Sequence, residues 1–281
     1  MPRLFVFGLG YSALALARRV QKDGWTVAGT CRRAAGANAL KAQGIDPVLF
    51  DGTKPIAPTA FNGTTHLLAS LPADPDDPAL RHHTSDIAAI DRLGWIGYLS
   101  TTSVYGVTDG SMVDEDTLCG PTSARGRRRL AAERAWQALP LPAHVFRLSG
   151  IYGSGRSVFD TIRAHKAQRI VKPGQAFNRI HVEDIAGIVQ ASIAAPSPGR
   201  IYNVADNLPV PSADLVTYAC GLMQIEPPPE IPFEQAVLSP MAREFWADNK
   251  RIDNSRIRTE LGVRLTYPTY REGLDAIFAS E

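Results

Sequence analysis

Gly8-Leu9-Gly10-Tyr11-Ser12-Ala13 follows a short apolar run and opens a stretch with Leu14, Ala17 and Val20 at helical spacing. Glycines at the first and third places of such a turn allow a tight bend and a close approach of backbone to phosphate. A small residue at the sixth place keeps helix and strand together. The helix start adds unpaired N–H groups and a positive dipole, so Gly8, Gly10, Tyr11, Ser12 and Ala13 read as a pyrophosphate cradle for a dinucleotide. The next strand candidate runs into Cys31-Arg32-Arg33 with no Asp or Glu at its end. A carboxylate there bonds a ribose 2′-hydroxyl, whereas guanidinium accommodates a 2′-phosphate. Arg32 and Arg33 therefore favour NADP(H), with NAD as the other option. Asp51, just after the third strand candidate, is either an acceptor for the adenine amino group or a plain loop residue. Ser70 and Leu71, after the fourth, complete the expected cofactor contacts.

Around these residues the chain alternates strand and helix. RLFVF (3–7), WTVAGT (25–30), PVLF (47–50), HLLAS (66–70), WIGYLSTTSVYG (95–106) and AHVFRLSG (143–150) read as strands, with helical stretches between them. This is the rhythm of an α/β fold, a doubly wound parallel Rossmann sheet. It occupies 1–150 with parts of 178–206. After 150 the rhythm loosens, although VEDIAGIVQASIAA (182–195) is a strong helix and IYNVAD (201–206) a late strand. Residues 151–177 and 207–281 are expected to form a small, interleaved cap on the substrate side. The 281 residues carry a formal net charge of +2, which gives no reason to invoke nucleic acid or an anionic membrane. No apolar run is long enough to span a bilayer. The three cysteines, Cys31, Cys119 and Cys220, are scattered, so neither a metal site nor a disulfide framework is indicated, and a cytoplasmic location is expected.

The runs FGLGYSA, STTSVYG (100–106), GIYGSGR (150–156) and NRIHVEDIA (178–186) resemble, in the right order, those of the extended short-chain dehydrogenase/reductase superfamily. These are the NAD(P)-dependent epimerases, dehydratases and reductases. The G-x-G-x-x-A form of the glycine turn is similar to that of the superfamily's atypical branch. The resemblance implies a hydroxyl at Thr101, with Ser103 close by, that holds a substrate carbonyl or hydroxyl. It implies Tyr105 and Tyr152 lining the substrate side, and Arg179 as a contact for an anionic group. It also implies a Tyr-x-x-x-Lys pair on the next helix, in a run like YGRSKLAAE. Here that run reads RGRRRLAAE, with Arg125 in the tyrosine's place and Arg129 in the lysine's. Spacing i to i+4 puts both on one helix face, expected to look toward the cofactor.

Arginine cannot exchange a proton near neutral pH. Arg129 retains the capacity to bond a ribose, and Arg125 to clamp an anion or steady an oxyanion. The competing reading of the two is a solvated basic helix face. Arg127 and Arg128 are expected to face solvent or a phosphate. His181 titrates in a useful range and is a candidate acid or substrate contact, although a histidine just before a helix is more often structural. The reading that follows is an NADP(H)-dependent oxidoreductase or epimerase-like enzyme without the usual proton donor, acting on a small molecule, anionic or a nucleotide sugar. The alternative is an NADP(H)-binding sensor without turnover. Helices 78–93 and 123–139 are the homodimer face that the resemblance implies; their apolar residues could equally all face the sheet.

Overall fold

The computed structural model describes residues 1–281. Short runs rich in Val, Leu, Ile and Phe form the strands, as expected where both faces of a sheet are covered. The first half consists of β1 (Arg3–Phe7), α1 (Tyr11–Lys22), β2 (Thr26–Cys31), α2 (Ala34–Lys41), β3 (Asp46–Leu49), β4 (His66–Ala69), α3 (Pro78–Ala88) and β5 (Trp95–Thr101). Then come β6 (Met112–Val113), α4 (Ala124–Gln137), β7 (Ala143–Leu148), β8 (Gly150–Tyr152), α5 (Val158–Arg163), β9 (Arg169–Val171) and β10 (Arg179–His181). The chain ends with α6 (Val182–Ala194), β11 (Ile201–Val204), α7 (Ser212–Leu222), β12 (Glu230–Pro232), α8 (Pro240–Ala247), β13 (Arg251–Ile252), α9 (Ser255–Thr259) and α10 (Tyr270–Ala279).

Seven strands make one parallel sheet in the order β11-β7-β5-β4-β1-β2-β3. This is the doubly wound Rossmann arrangement. The chain starts in the middle, winds outward through β2 and β3, then returns to the other side of β1 at β4. The late strand, β11, is the far edge of the same sheet, in register with β7 from Ile201↔Val145 to Val204↔Leu148. Alternate side chains point to opposite faces. Leu4 and Val6 pack against α1 and α6 through Leu16, Val20, Ile185 and Ile188. Phe5 and Phe7 join Tyr98, Ile87, Ala132 and Trp136 on the α3 and α4 side. A separate cluster of Tyr152, Phe159, Ile162, Val216, Tyr270 and Leu274 builds the cap around α5, α7 and α10. Ile257 of α9 instead joins the sheet's own core under α1 and α6.

Three two-stranded parallel pairs, β8 with β10, β9 with β12 and β6 with β13, stitch the second half to the ends of the sheet. None is visible as a periodic pattern, because two or three residues are too few to show one. Helix α4 explains its own odd composition. Ser123 caps it by accepting from the Gly126 N–H at 3.0 Å. Gly126 lies so close to the turn after β5 that a Cβ would stand 2.8 Å from the Ser103 carbonyl oxygen. Further along, the face toward the sheet carries Ala132, Glu133 and Trp136, so the buried side of this helix is partly charged.

Candidate active site and cofactor crevice

In an open parallel sheet the ligand crevice lies at the carboxyl ends of the strands where the winding reverses, here between β1 and β4. Gly8 leaves β1 with φ +87°, and a Cβ on it would meet Leu71 Cδ2 at 2.8 Å. The second glycine has the opposite surroundings. A Cβ on Gly10 would meet nothing closer than the Gly8 carbonyl oxygen at 4.0 Å, so the backbone is open on the crevice side. Gly10 caps α1 without a side-chain bond and without an acidic residue in the first turn. The first main-chain bond into the helix is Leu14 N–H to Gly10 C=O, which leaves the N–H groups of Tyr11, Ser12 and Ala13 ahead of it at the positive end of the helix. Ser70 and Leu71 form the opposite wall, with the Ser70 N–H bonded to Phe7 C=O at 2.8 Å. These residues fit a pyrophosphate.

Arg32 and Arg33 are exposed at the end of β2, and neither has a carboxylate partner. Asp51 Oδ1 accepts from the Thr53 N–H and hydroxyl, at 2.9 and 2.7 Å, which holds this exposed carboxyl below its usual range. One of its oxygens is thus taken by a local turn. A residue absent from the sequence-based candidates stands over the cradle. The turn Gly153–Arg156 lies on the start of α1, where the Tyr11 hydroxyl donates to Ser154 C=O at 3.0 Å. A Cβ on Gly153 would stand 2.4 Å from that hydroxyl. Arg156 places its guanidinium 5.7 Å from the Tyr11 ring centre and is exposed. The only sign of it in the sequence is the arginine closing GIYGSGR.

Thr101 ends β5 half-buried. Its Oγ1 accepts from the Ser103 N–H and lies 3.2 Å from the Ser103 hydroxyl. Two hydroxyls therefore adjoin at the end of the strand. Beneath them Glu133 and Arg147 form a buried ion pair at 2.9 Å, and Glu133 also accepts from the Ser100 hydroxyl at 2.5 Å. This pair fixes the end of β5 and was not among the sequence-based candidates. Its signal was an arginine inside the otherwise apolar AHVFRL.

Several expectations need correction. Arg125 and Arg129, expected as a pair on one helix face, have different surroundings. Arg129 Nη1 donates to Leu71 C=O, Leu99 C=O and the Tyr98 hydroxyl at 3.0–3.2 Å, because the diverging ends of β4 and β5 expose carbonyls that need a donor. Arg125, one turn earlier, is exposed and makes no hydrogen bond or ion pair. Arg127 is exposed, as expected, and donates to Thr122 C=O, while the half-buried Arg128 donates to Ala73 C=O, so each also ties down a loop. Tyr105 does not line a substrate site. It is 2% exposed, donates to Asn203 Oδ1 at 2.6 Å, accepts from Arg147, and burial pushes its phenol up to about 12. Tyr152 is packed in the cap, its hydroxyl pointed at Thr269 C=O, and burial pushes it well above the usual range. Arg179 spends Nη1 on Phe177 C=O and Val210 C=O, and burial pulls it down to about 10 against the opposing charge of Asp206. His181 caps α6 by accepting from the Glu183 N–H at 3.3 Å. Burial pulls it down to about 4, so it is a neutral acceptor and no acid at neutral pH.

Two cavities are relevant. The larger, about 450 Å³, lies between α1 and α10 and is lined by Tyr11, Leu14, His181, Tyr267 and Ile277. It contains none of the residues at the ends of β5 and β7. The smaller, about 40 Å³, is bounded by Thr102 and Ser103 after β5, Gly150 after β7, Phe177, Asn178 and Phe245, and by Asp248 and Lys250. It lies on the side of the switch point reached by the second half of a dinucleotide that starts at Gly8. No group of three His, Cys, Asp or Glu side chains is placed to hold a metal ion.

The fold and the glycine turn are of the kind found in dinucleotide-binding α/β proteins. No family model matches the chain. Among solved structures, a conserved protein of unknown function from Silicibacter pomeroyi is 49% identical, with TM-score 0.92 over 100% of this chain and 99% of that one. A protein from Methylobacillus flagellatus, named for its assignment as an NAD-dependent epimerase/dehydratase, is 27% identical, with TM-score 0.74 over 99% and 98%. Among curated proteins, YeeZ of Escherichia coli is 29% identical over 282 residues, 95% of this chain and 97% of that one. The 3-diazoavenalumate denitrifying reductase of a Streptomyces species is 25% identical over 268 residues, 93% of this chain and 72% of the other. These likenesses fit the epimerase/dehydratase-like proteins of the short-chain dehydrogenase/reductase superfamily, whose fold this chain shares over nearly its whole length.

Proposed function

We propose that the chain is a cytoplasmic NADP(H)-dependent reductase for a small carbonyl-type substrate. The observation that carries this is the open backbone at Gly10 at the head of α1, facing the switch point of the sheet. Gly8, Gly10 and the first N–H groups of α1 hold the pyrophosphate, with Arg156 above it. Arg32 and Arg33, unpaired at the end of β2, take the 2′-phosphate. When bound, the cofactor supplies a hydride at its nicotinamide. Thr101 and Ser103 orient the substrate oxygen. A relative named as a reductase supports this direction of chemistry. The cavity beside Ser103 favours a small group over a nucleotide sugar.

Fluorescence titration of the four tryptophans with NADPH and with NADH tests the cofactor. Arg32→Ala/Arg33→Ala is expected to weaken NADPH at least about tenfold, the equivalent of 1.4 kcal/mol, and to leave NADH unchanged. NADH binding as tightly as NADPH to the natural chain would overturn the assignment. The homodimer implied by the superfamily would use α3 and α4, and light scattering of the purified protein reads it directly.

A further inference from the structure

The smaller cavity has a feature that the superfamily's missing tyrosine makes pointed. Lys250 is 5% exposed and lines it together with Ser103. Lysine is almost never buried without a partner. Its ammonium has one here, Asp248 Oδ2 at 2.9 Å, and no other acceptor on the protein. An ammonium has three donors, so two N–H groups are free to meet an oxygen from the cavity. The main chain around it is fixed from one side by the cap. Asn178 Nδ2 donates to Lys250 C=O at 2.8 Å, and Asn178 Oδ1 accepts from the Ile252 N–H at 3.0 Å. Gln175 Nε2 donates to Asp248 C=O at 2.6 Å. Phe245 stacks on Phe177 with ring centres 4.7 Å apart and 5° between planes, and the two rings form an apolar part of the cavity lining. A charge held at such a largely buried position acts more strongly on a developing charge than the same group in open solvent.

We propose that Lys250 is the proton donor of this site, taking the role that Arg125 cannot fill, and that the cavity receives the carbonyl oxygen of a small aldehyde or ketone between Lys250 and Ser103. This rests on the reductase reading above. The hydride adds to the carbonyl carbon, the C=O π pair moves onto oxygen, and that oxygen takes a proton from Lys250 Nζ. The carbonyl is reduced to an alcohol and the nicotinamide is oxidised. Lys250 is left as an amine and regains its proton from solvent.

The test uses acetaldehyde labelled with 13C at its carbonyl, small enough to bring its oxygen into this cavity, whose carbonyl resonance moves downfield when a cation bonds that oxygen. The full chain is expected to shift it without any cofactor. Lys250→Met is expected to lose the shift, and so is Asp248→Asn/Lys250→Met, which leaves no unpaired carboxylate behind and guards against misfolding. With NADPH, turnover of the same aldehyde should fall by at least about 100-fold in both. Lys250→Arg keeps the cation but has no proton to give, so it should keep the shift and lose turnover. No downfield shift with the natural chain, a shift that survives in the double variant, or full turnover by Lys250→Arg overturns the proposal. NADPH titration reports separately on the reading beneath it. A chain that shifts the aldehyde but binds no NADPH keeps the carbonyl site and loses the reductase.

Discussion

A carboxyl as deeply buried as that of Asp206 keeps its proton to unusually high pH. Burial pushes it up to about 7, with its Oδ2 facing no donor and Arg179 only partly opposing the shift. In the unfolded chain the group returns to its ordinary value of 3.8. Between those values the native state holds more protons than the unfolded one, so this group makes stability fall as pH rises through the window. Asp206→Asn stays neutral at every pH. It is expected to match the natural chain at pH 4 and to exceed it in stability above pH 7, read by urea unfolding at both pH values. A difference that does not grow with pH would show Asp206 ionised throughout. His181 acts in the opposite sense, since its folded value near 4 lies below the ordinary 6.5 and its contribution is lost as pH falls. Glu133 and Arg147 show the cost of a buried charge without a partner: Glu133→Gln strands a guanidinium that is 3% exposed. Removing one member of such a pair typically costs about 3–5 kcal/mol, and equilibrium denaturation of this variant should show a loss of that order.

At the scale of elements, α4 does the work that a simple amphipathic helix would not. Its inward charges, Arg129 and Glu133, reach the ends of β4 and β5, where a parallel sheet leaves carbonyls and hydroxyls without ladder partners. Arg129→Met removes three acceptors' shared donor. It is expected to destabilise by about 1–3 kcal/mol and to loosen the Ser70–Leu71 wall, raising the NADPH dissociation constant roughly tenfold. Affinity unchanged after this substitution would separate the wall from the cofactor. The sequence predicted a helix over 123–139, close to α4, because Leu-Ala-Ala-Glu is a local helical signal. It did not predict what the arginines touch. Spacing i to i+4 says that two side chains share a face, but not which carbonyls a neighbouring strand presents to that face. Arg125, at the solvent end of the same row, shows how one turn of rise separates a structural arginine from a free one.

At the scale of the molecule, two cores flank one sheet and a third holds the cap, so the crevice is bordered by elements that fold around different clusters. Anything that binds only the native crevice stabilises the whole chain by mass action. NADPH at a hundredfold its dissociation constant is expected to add about 2.7 kcal/mol to unfolding, visible as a raised melting temperature. NADH at the same concentration should add less. Identical melting curves with and without NADPH would remove the cofactor from the account.

The glycine turn, the alternation of strands and helices and the two arginines after β2 were fixed by neighbours in the chain, which is why the sequence alone was enough to place them. A tight turn needs glycine wherever it occurs, and an apolar run buried on both faces reads the same in any order of strands. The site beside Ser103 had no such local mark. Lys250, Asp248 and Asn178 come together only because β13 and β10 dock beside the ends of β5 and β7. Tyr105, Tyr152 and Arg179 looked available from their motifs, and the tertiary structure spent each on a buried partner. Polar side chains in a crevice must choose between partners in the protein and partners in a ligand, and only the packed chain shows which carbonyls and carboxylates reached them first.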